Sequence, residues 1–152
     1  MVLEELPSEF DGDPWRVTWS LGAYALRDIA SYAEDVEYLA GSIIFSVGDE
    51  SDAMYLVLKG QVQVWREDAQ KNKQMVSTIH EGQSFGEVGL LINQQRLATT
   101  IASVDTKLLK VTYDDLLRLE VEKPEFMVKL YKRLAQTLAE QWVLSATRFS
   151  EE

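Results

Sequence analysis

Apolar and polar residues alternate through the middle of the chain, and this pattern predicts short strands. The period moves towards two from Val36 onward, and glycine turns separate one run from the next. The predicted strands cover residues 36–39, 42–45, 54–59, 61–66, 74–80, 100–104 and 107–112. In the run at 74–80, we expect Met75 or Val76 and Ile79 to face inward. Short strands at this spacing predict a mainly β fold with flanking helices, an antiparallel β-roll or jelly-roll barrel over about residues 36–112.

The N-terminal part of the chain has a different character. Residues 1–19 are acidic and interrupted by proline and glycine, and they carry Trp15 and Trp19 four positions apart. These tryptophans either pack on the helices of the same domain or form a surface for a partner. Residues 20–33 then predict an N-terminal helix that Ser20 can cap. We therefore divide the chain into an acidic extension, 1–19, and one folded domain, 20–152.

Two helices are predicted after the strands, over about residues 113–146. The first begins at Tyr113, and Leu116, Leu117 and Leu119 supply its buried side. Pro124 ends it and can occupy the first turn of the second, which reaches about Ala146. The apolar face of the second helix consists of Phe126, Leu130, Leu134, Leu138 and Trp142.

Composition and charge narrow the function classes. The 152 residues suit one domain, and 46% of them are apolar, which is typical of a globular protein. A formal charge of −10 argues against direct binding to nucleic acid, whose phosphates require Lys and Arg. There are no cysteines, which fits a reducing compartment, and we expect a cytoplasmic protein. No apolar run approaches the ~18 residues of a membrane span, and the N-terminus does not resemble a signal peptide.

The stretch from Ser84 to Thr100 contains the clearest candidate chemistry. Gly86 and Gly89 bracket a carboxylate, Glu87, and Arg96 follows after a short apolar turn and a polar loop. Glycine lets the backbone approach a ligand closely, and a helix that starts near Gly86 offers free N–H groups to an anion. The planar fork of arginine suits two oxygens of a phosphate. Because a carboxylate repels phosphate but accepts bonds from hydroxyls, the combination indicates a nucleotide.

This stretch resembles the phosphate-binding cassette of the cyclic-nucleotide-binding domain family. The family pattern is Phe-Gly-Glu, a small residue, Leu, and an Arg nine residues after the Glu, followed by small residues and often Thr. The matching residues are Phe85, Gly86, Glu87, Gly89, Leu90, Arg96, Ala98 and Thr99. An upstream pattern also matches, through Gly41, Ile43, Ile44, Phe45, Gly48 and Asp49 and the run from Tyr55 to Gly60. The resemblance covers about residues 36–145.

The resemblance implies a role for each cassette residue. Glu87 would accept the ribose 2′-hydroxyl, and Arg96 would bind the cyclic phosphate. Backbone N–H groups of Gly86, Val88 and Ala98 would assist Arg96. Leu97 departs from the family, where Ala, Ser or Thr usually stands, so it cannot bond a phosphate or a guanine. The resemblance therefore implies a cyclic-nucleotide ligand, with cAMP expected first.

In the resembled family the last helix caps the base, and in bacterial members it also pairs with its copy in a dimer. The candidates for the cap here are Tyr131, Leu134 and Leu138, with plain packing on the barrel as the alternative. A homodimer through this helix is expected. Because no DNA-binding, kinase or channel segment follows, we expect the chain to signal to a separate effector protein.

The sequence gives little support for a metal site or for a catalytic site. His80 is the only histidine, and no cysteine accompanies it, so neither a zinc site nor a catalytic triad can be assembled. We expect no enzyme, no cofactor and no metal. Two rival functions remain open. A cyclic dinucleotide could bind with help from Arg16 or Arg27 and from stacking on Trp15 or Trp19, or the domain could be a ligand-free scaffold.

Overall fold

The computed structural model describes residues 29–87 and 92–151, and within these it shows the predicted mainly β architecture with flanking helices. The predicted extension at 1–19 lies outside the described residues. Of the helix predicted at 20–33, the structure describes the last residues, where helical backbone ends at Ala30. The described residues form eight strands, β1 (Glu34–Tyr38), β2 (Ile43–Phe45), β3 (Ala53–Lys59), β4 (Val62–Glu67), β5 (Lys73–Ile79), β6 (Ser84–Phe85), β7 (Thr99–Ala102) and β8 (Thr106–Thr112).

The strands form two antiparallel four-stranded sheets. The first sheet has the order β1-β8-β3-β6 and the second the order β2-β7-β4-β5. Neighbouring strands in each sheet are mostly distant in sequence, as in a roll whose chain passes repeatedly from one sheet to the other. This arrangement brings β6 beside β3, with Tyr55 opposite Phe85, and so fixes the start of the cassette against the first sheet.

Strand β3 is buried on both faces and lies between two cores. Met54 and Leu56 contribute to a helix-side core that also contains Leu109, Val111 and the apolar faces of the C-terminal helices. Tyr55 and Val57 contribute to a barrel core with Val62, Phe85 and Leu108, between the two sheets. Because successive side chains of a strand point to opposite faces, a strand between two cores must be apolar at every position.

Two helices follow the barrel, α1 (Tyr113–Glu122) and α2 (Pro124–Glu151). A capping box starts α1: the Asp115 backbone N–H donates to the Thr112 hydroxyl, and the Thr112 N–H donates to the Asp115 carboxylate. Leu116 and Leu119 are buried as predicted, but the prediction for Leu117 is wrong because its side chain faces solvent. Helix α2 continues five residues beyond the predicted end at Ala146.

Two further expectations about burial need correction. Met75 and Val76 are about half exposed, because β5 is an edge strand of the second sheet and nothing among the described residues covers its outer part. Ile79, at the other end of β5, packs against the barrel core as expected. On α2, Phe126, Leu130 and Leu134 are buried, whereas Trp142 is 71% exposed, because among the described residues the helix-side core includes no residue of α2 beyond Leu134.

Candidate ligand-binding site

The cassette begins where β6 ends, and Gly86 turns the chain out of the strand. The backbone of Gly86 has φ of +83°, a left-handed conformation that glycine adopts without strain. A Cβ at this position would lie 2.8 Å from Nη1 of Arg96 and 3.3 Å from the carbonyl oxygen of Ala53. Glycine is therefore required here both for the turn and for the close approach of the arginine. Helical backbone follows at Glu87 and at Ile92.

The far end of the cassette is tied to the turn between β2 and β3. The Arg96 backbone N–H donates to the carbonyl of Asp49 at 2.8 Å, and the Gly48 N–H donates to the carbonyl of Arg96 at 2.8 Å. The Ser51 hydroxyl donates to the carbonyl of Gln94. These bonds explain why the Gly48-Asp49 turn and the cassette occur together in the sequence pattern.

The Arg96 side chain points inward and is held at three places. It is only 5% exposed; Nη1 donates to the carbonyl of Gly86 at 2.8 Å and Nη2 to the carbonyl of Ala53 at 2.5 Å. The guanidinium carbon lies 3.9 Å from the centroid of the Phe45 ring, a cation–π contact. Its Nε has no hydrogen-bond partner among the described residues. Burial lowers the pKa of Arg96, and nearby Tyr55, Asp52, Asp49 and Glu87 oppose that shift.

Glu87 is the second buried charged group of the cassette. It is 7% exposed, and its Oε2 has no hydrogen-bond partner among the described residues. Burial raises the pKa of Glu87, and a backbone hydrogen bond and the charge of Arg96 only partly oppose this. Because both terminal nitrogens of Arg96 bond to backbone carbonyls, the two residues do not neutralise each other as a closed pair.

These groups line a cavity of about 500 Å³ between the cassette and the inner face of the second sheet. A volume of this size falls in the range of roughly 300–1,000 Å³ that small-molecule sites occupy. Three buried polar atoms of the lining residues lack partners within the described structure: Glu87 Oε2, Arg96 Nε and Thr100 Oγ1. A buried polar atom without a partner is costly, so a ligand that supplies partners for all three would be strongly favoured.

The structure brings most of the predicted cassette residues together at this cavity. Phe85, Gly86, Glu87, Arg96, Leu97 and Ala98 all line it. Leu97 nevertheless remains 60% exposed, so most of its side chain points to solvent. Val88 and Gly89 lie outside the described residues.

Thr99 faces away from the cavity. Its hydroxyl accepts a hydrogen bond from the Val47 backbone N–H at 3.1 Å, and it lines a second cavity of about 330 Å³ with Ile43 and Trp65. The reason is the alternation of side chains along β7, which turns Thr100 inward and Thr99 outward.

The residues proposed to cap a base lie elsewhere. Leu134 is buried in the helix-side core, and the Tyr131 hydroxyl donates to the Glu120 carboxylate at 2.6 Å. Burial raises the pKa of Tyr131, with further contributions from Glu120. Leu138 is half-buried on α2. Because the helix-side core and the cavity lie on opposite faces of the first sheet, the structure does not bring Tyr131 and Leu134 to the cavity, and their capping role stays a prediction.

The sequence reading overlooked cavity residues from the second sheet. Val64, Arg66, Ser77 and Thr100 come from β4, β5 and β7 and line the cavity beside the cassette. Gln83 is buried at the entrance to β6, and its side-chain oxygen accepts from the His80 N–H at 2.8 Å. The period-two pattern of β4 and β7 could have identified the strand residues, because it separates inward from outward positions.

Among the residues that the structure describes, no helix is long and apolar enough to cross a membrane. The same residues include no cluster of three or more His, Cys, Asp or Glu side chains that could hold a metal ion.

Comparison with known proteins agrees with this geometry. A family model described as the cyclic nucleotide-binding domain matches residues 35–122. The cyclic AMP receptor protein of Thermus thermophilus is 34% identical over 110 residues, which cover 72% of this chain and 51% of that protein. The crystal structure of the Thermus thermophilus catabolite activator protein superposes with a TM-score of 0.75 at 30% identity, covering 89% of this chain and 63% of that one.

A third relative is named for a different activity. Lysophospholipase nte1 of Aspergillus terreus is 34% identical over 105 residues, which cover 69% of this chain but only 7% of that protein. The chain thus spans from 7% to about half of the length of these curated relatives. Similarity over so small a share of a long protein concerns one of its domains.

Proposed function

This chain belongs to the cyclic nucleotide-binding domain family, and we propose that it is a receptor for a cyclic purine mononucleotide. The observation that carries the proposal is the set of three unpartnered buried atoms around one cavity: a carboxylate oxygen of Glu87, Nε of Arg96 and a hydroxyl of Thr100. A cyclic nucleotide carries a phosphate anion that matches the cation of Arg96 and a ribose hydroxyl that matches the carboxylate of Glu87. Its base edge can form a hydrogen bond with the hydroxyl of Thr100.

The proposed pose places the phosphate at Arg96 and the ribose at Glu87. The contact with Phe45 restrains the plane of the guanidinium, and its Nε lacks a partner among the described residues. Because Nη1 and Nη2 donate to the Gly86 and Ala53 carbonyls, a phosphate that binds the terminal nitrogens would replace or share these bonds. The ribose 2′-hydroxyl would donate to Oε2 of Glu87. Cyclic AMP serves as the reference ligand, because one relative is named a cyclic AMP receptor protein.

We further propose that the chain binds its ligand without transforming it. Cleavage of a cyclic phosphate needs a metal ion or a general base directed at phosphorus. Glu87 would be occupied by a sugar hydroxyl in the proposed pose, and Arg96 can donate protons in hydrogen bonds but cannot act as a base. In this proposal, a cytoplasmic homodimer passes the signal to a separate effector protein through the equilibrium between its free and bound conformations.

A thermal-shift screen tests the receptor proposal. Cyclic AMP, cyclic GMP and cyclic di-GMP are compared with linear 5′-AMP, which has the same base and sugar without the cyclic ester. A bound ligand stabilises the protein by about 2.7 kcal/mol at a hundredfold excess over Kd, so a cyclic mononucleotide should raise Tm by several degrees while 5′-AMP should not. An unchanged Tm with every nucleotide would instead support a ligand-free scaffold.

The variant Arg96→Lys tests the phosphate contact. Lysine keeps the charge but loses the fork, so we expect cyclic-nucleotide affinity to fall roughly tenfold to a hundredfold, the range for losing one or two charge-assisted bonds. Isothermal titration calorimetry measures the affinity, and a thermal melt confirms that the variant is folded. Affinity equal to that of the wild type would contradict the assignment of Arg96.

A further inference from the structure

Arg66 lies on the face of β4 that lines the ligand cavity. Along this strand Val62 is buried in the barrel core, and Val64 and Arg66 both line the cavity. Trp65, between them, lines the second cavity on the outer face, and Arg66, next to the end of β4, borders that cavity as well as the ligand cavity. Arg66 is exposed and forms part of the cavity wall. Its charged head can therefore stay hydrated when the cavity is empty, and its long side chain can reach a ligand when one is bound.

Polar groups flank Val64, the cavity residue two positions before Arg66, on both neighbouring strands. Val64 is paired with Ser77 of β5 on one side and with Thr100 of β7 on the other, and both of these residues line the cavity. The Thr100 hydroxyl is buried and has no hydrogen-bond partner among the described residues. This wall therefore presents a guanidinium and two hydroxyls, none of which the contacts to phosphate and ribose use.

The hydrogen bonds that such a wall can form with a base differ between guanine and adenine. The guanidinium of arginine is a planar fork that only donates hydrogen bonds. Guanine presents two adjacent acceptors, O6 and N7, which match this fork, whereas adenine replaces O6 with an amino group that is itself a donor. An arginine at the base edge thus favours guanine and disfavours adenine.

We propose that Arg66 is a specificity-determining residue that donates to O6 and N7 of guanine, so that the cavity binds cyclic GMP more tightly than cyclic AMP. This inference rests on the proposed receptor function. It assigns the base edge to the wall of β4, β5 and β7, while the phosphate and ribose stay at the cassette.

Calorimetric titrations of wild type, Arg66→Ala and Arg66→Lys with cyclic GMP, cyclic AMP and cyclic IMP test the inference. Cyclic IMP keeps O6 and N7 but lacks the 2-amino group, so it should bind like cyclic GMP if Arg66 recognises this edge. In Arg66→Ala we expect cyclic GMP and cyclic IMP to lose affinity roughly tenfold to a hundredfold and cyclic AMP less than about threefold. Arg66→Lys should lose most of the preference, because lysine cannot form the paired bonds.

Lys59→Ala provides the control. Lys59 is an exposed cation at the end of β3, so its removal changes the net charge equally and should leave all three affinities unchanged. Equal losses for all three nucleotides in Arg66→Ala would mean that Arg66 attracts the phosphate, and unchanged affinities would mean that it makes no contact. Either result would overturn the inference.

These titrations, together with those of Arg96→Lys and with cyclic di-GMP as a fourth ligand, separate failure of the inference from failure of the receptor proposal. If Arg66 does not discriminate but Arg96→Lys still weakens binding, the receptor remains and only the base assignment is wrong. If cyclic di-GMP binds and depends on Arg66 more strongly than cyclic GMP does, Arg66 serves a second phosphate and the inference is overturned. If no nucleotide binds to the wild type, both proposals are wrong.

Discussion

Gly86 shows how a single residue without a side chain positions the arginine of the site. A methyl group at this position would meet Nη1 of Arg96 at 2.8 Å, and the backbone φ of +83° would also strain any other residue. Gly86 is therefore part of the binding geometry, although it contributes no side-chain atom to a ligand.

We expect Gly86→Ala to destabilise the protein by about 1–2 kcal/mol and to weaken cyclic-nucleotide binding, because Arg96 must move. The matched control is Gly41→Ala, since Gly41 has nearly the same φ, +86°, but nothing within 4 Å of an added Cβ. Denaturant unfolding should show a loss for both variants, larger for Gly86→Ala because the added Cβ also meets Arg96, and calorimetry should show weaker binding only for Gly86→Ala. Weakened binding in both variants would indicate that backbone strain alone is responsible.

Glu87 gives the site a dependence on pH whose sign can be derived. Burial raises the pKa of its carboxyl in the folded protein. A raised carboxyl pKa means that the folded state holds the proton more tightly than the unfolded chain, so stability falls as the pH rises from the ordinary glutamate pKa through the raised value. A ligand hydroxyl that donates to Oε2 favours the charged form and would lower this pKa again.

Two outcomes are therefore expected for Glu87. The affinity for a cyclic nucleotide should increase with pH across this window, with proton release on binding that calorimetry in buffers of different ionisation enthalpy can measure. Glu87→Gln should abolish the proton release, weaken binding, and raise the Tm of the ligand-free protein at neutral pH. Proton release that persists in Glu87→Gln would assign the titration to another group.

At the residue level, the sequence predicted the cavity residues of the cassette better than the cavity residues that the second sheet contributes. Phe85, Gly86, Glu87 and Arg96 lie close together in sequence and in one motif, so their meeting at a cavity could be anticipated. Thr100 and Val64 lie side by side in the cavity wall only because β7 pairs with β4, and Thr99 was taken for a site residue although side-chain alternation along β7 turns it outward. Register between distant strands is not encoded in any local pattern.

At the scale of elements, seven of the eight strands in the described residues were predicted to within about two residues, because glycine turns and period-two runs are local signals. The two-residue strand β6 was missed, because it is too short to show a period. The role of α2 was harder to predict. Its apolar residues are spread over several faces, and only packing against α1 and the first sheet decides which of them are buried. Leu134 could therefore be identified as apolar and inward, but not as part of the helix-side core.

The exposed apolar face near the end of α2 supports a prediction about assembly. Trp142 and Val143 are 71% and 60% exposed, and a large exposed aromatic residue is typical of an interface centre. We expect a homodimer in which Trp142→Glu weakens self-association by about thirtyfold or more, the equivalent of a hot-spot contact. Val121→Glu is the control because Val121 is also highly exposed, at 81%, but lies on α1. Sedimentation velocity that shows a wild-type monomer would contradict the dimer.

At the scale of the whole molecule, charge opposes the proposed ligand. The chain carries a formal charge of −10, and a cyclic nucleotide is an anion. Local cations must therefore hold the phosphate against a repulsive long-range field. The short-range contacts at Arg96 are buried and are screened much less by salt than the field at the surface.

This difference predicts an unusual salt effect on kinetics. Raising the ionic strength from low to physiological values should increase the association rate severalfold, because salt screens the repulsion, while the dissociation rate changes little. Stopped-flow mixing with a fluorescent cyclic nucleotide measures both rates. An association rate that falls with salt would show that a local positive field at the cavity mouth dominates.

Trp65 lies in β4 directly between Val64 and Arg66, with its indole on the opposite side of the sheet from the ligand cavity. Its ring N–H donates to the Gln63 side chain at 3.2 Å, so a small shift of the strand alters the surroundings of the indole. The protein thus carries an intrinsic fluorophore that is separated from the ligand cavity by a single β-sheet. In a variant whose other three tryptophans are replaced by phenylalanine, emission from Trp65 would report occupancy optically, without any attached dye.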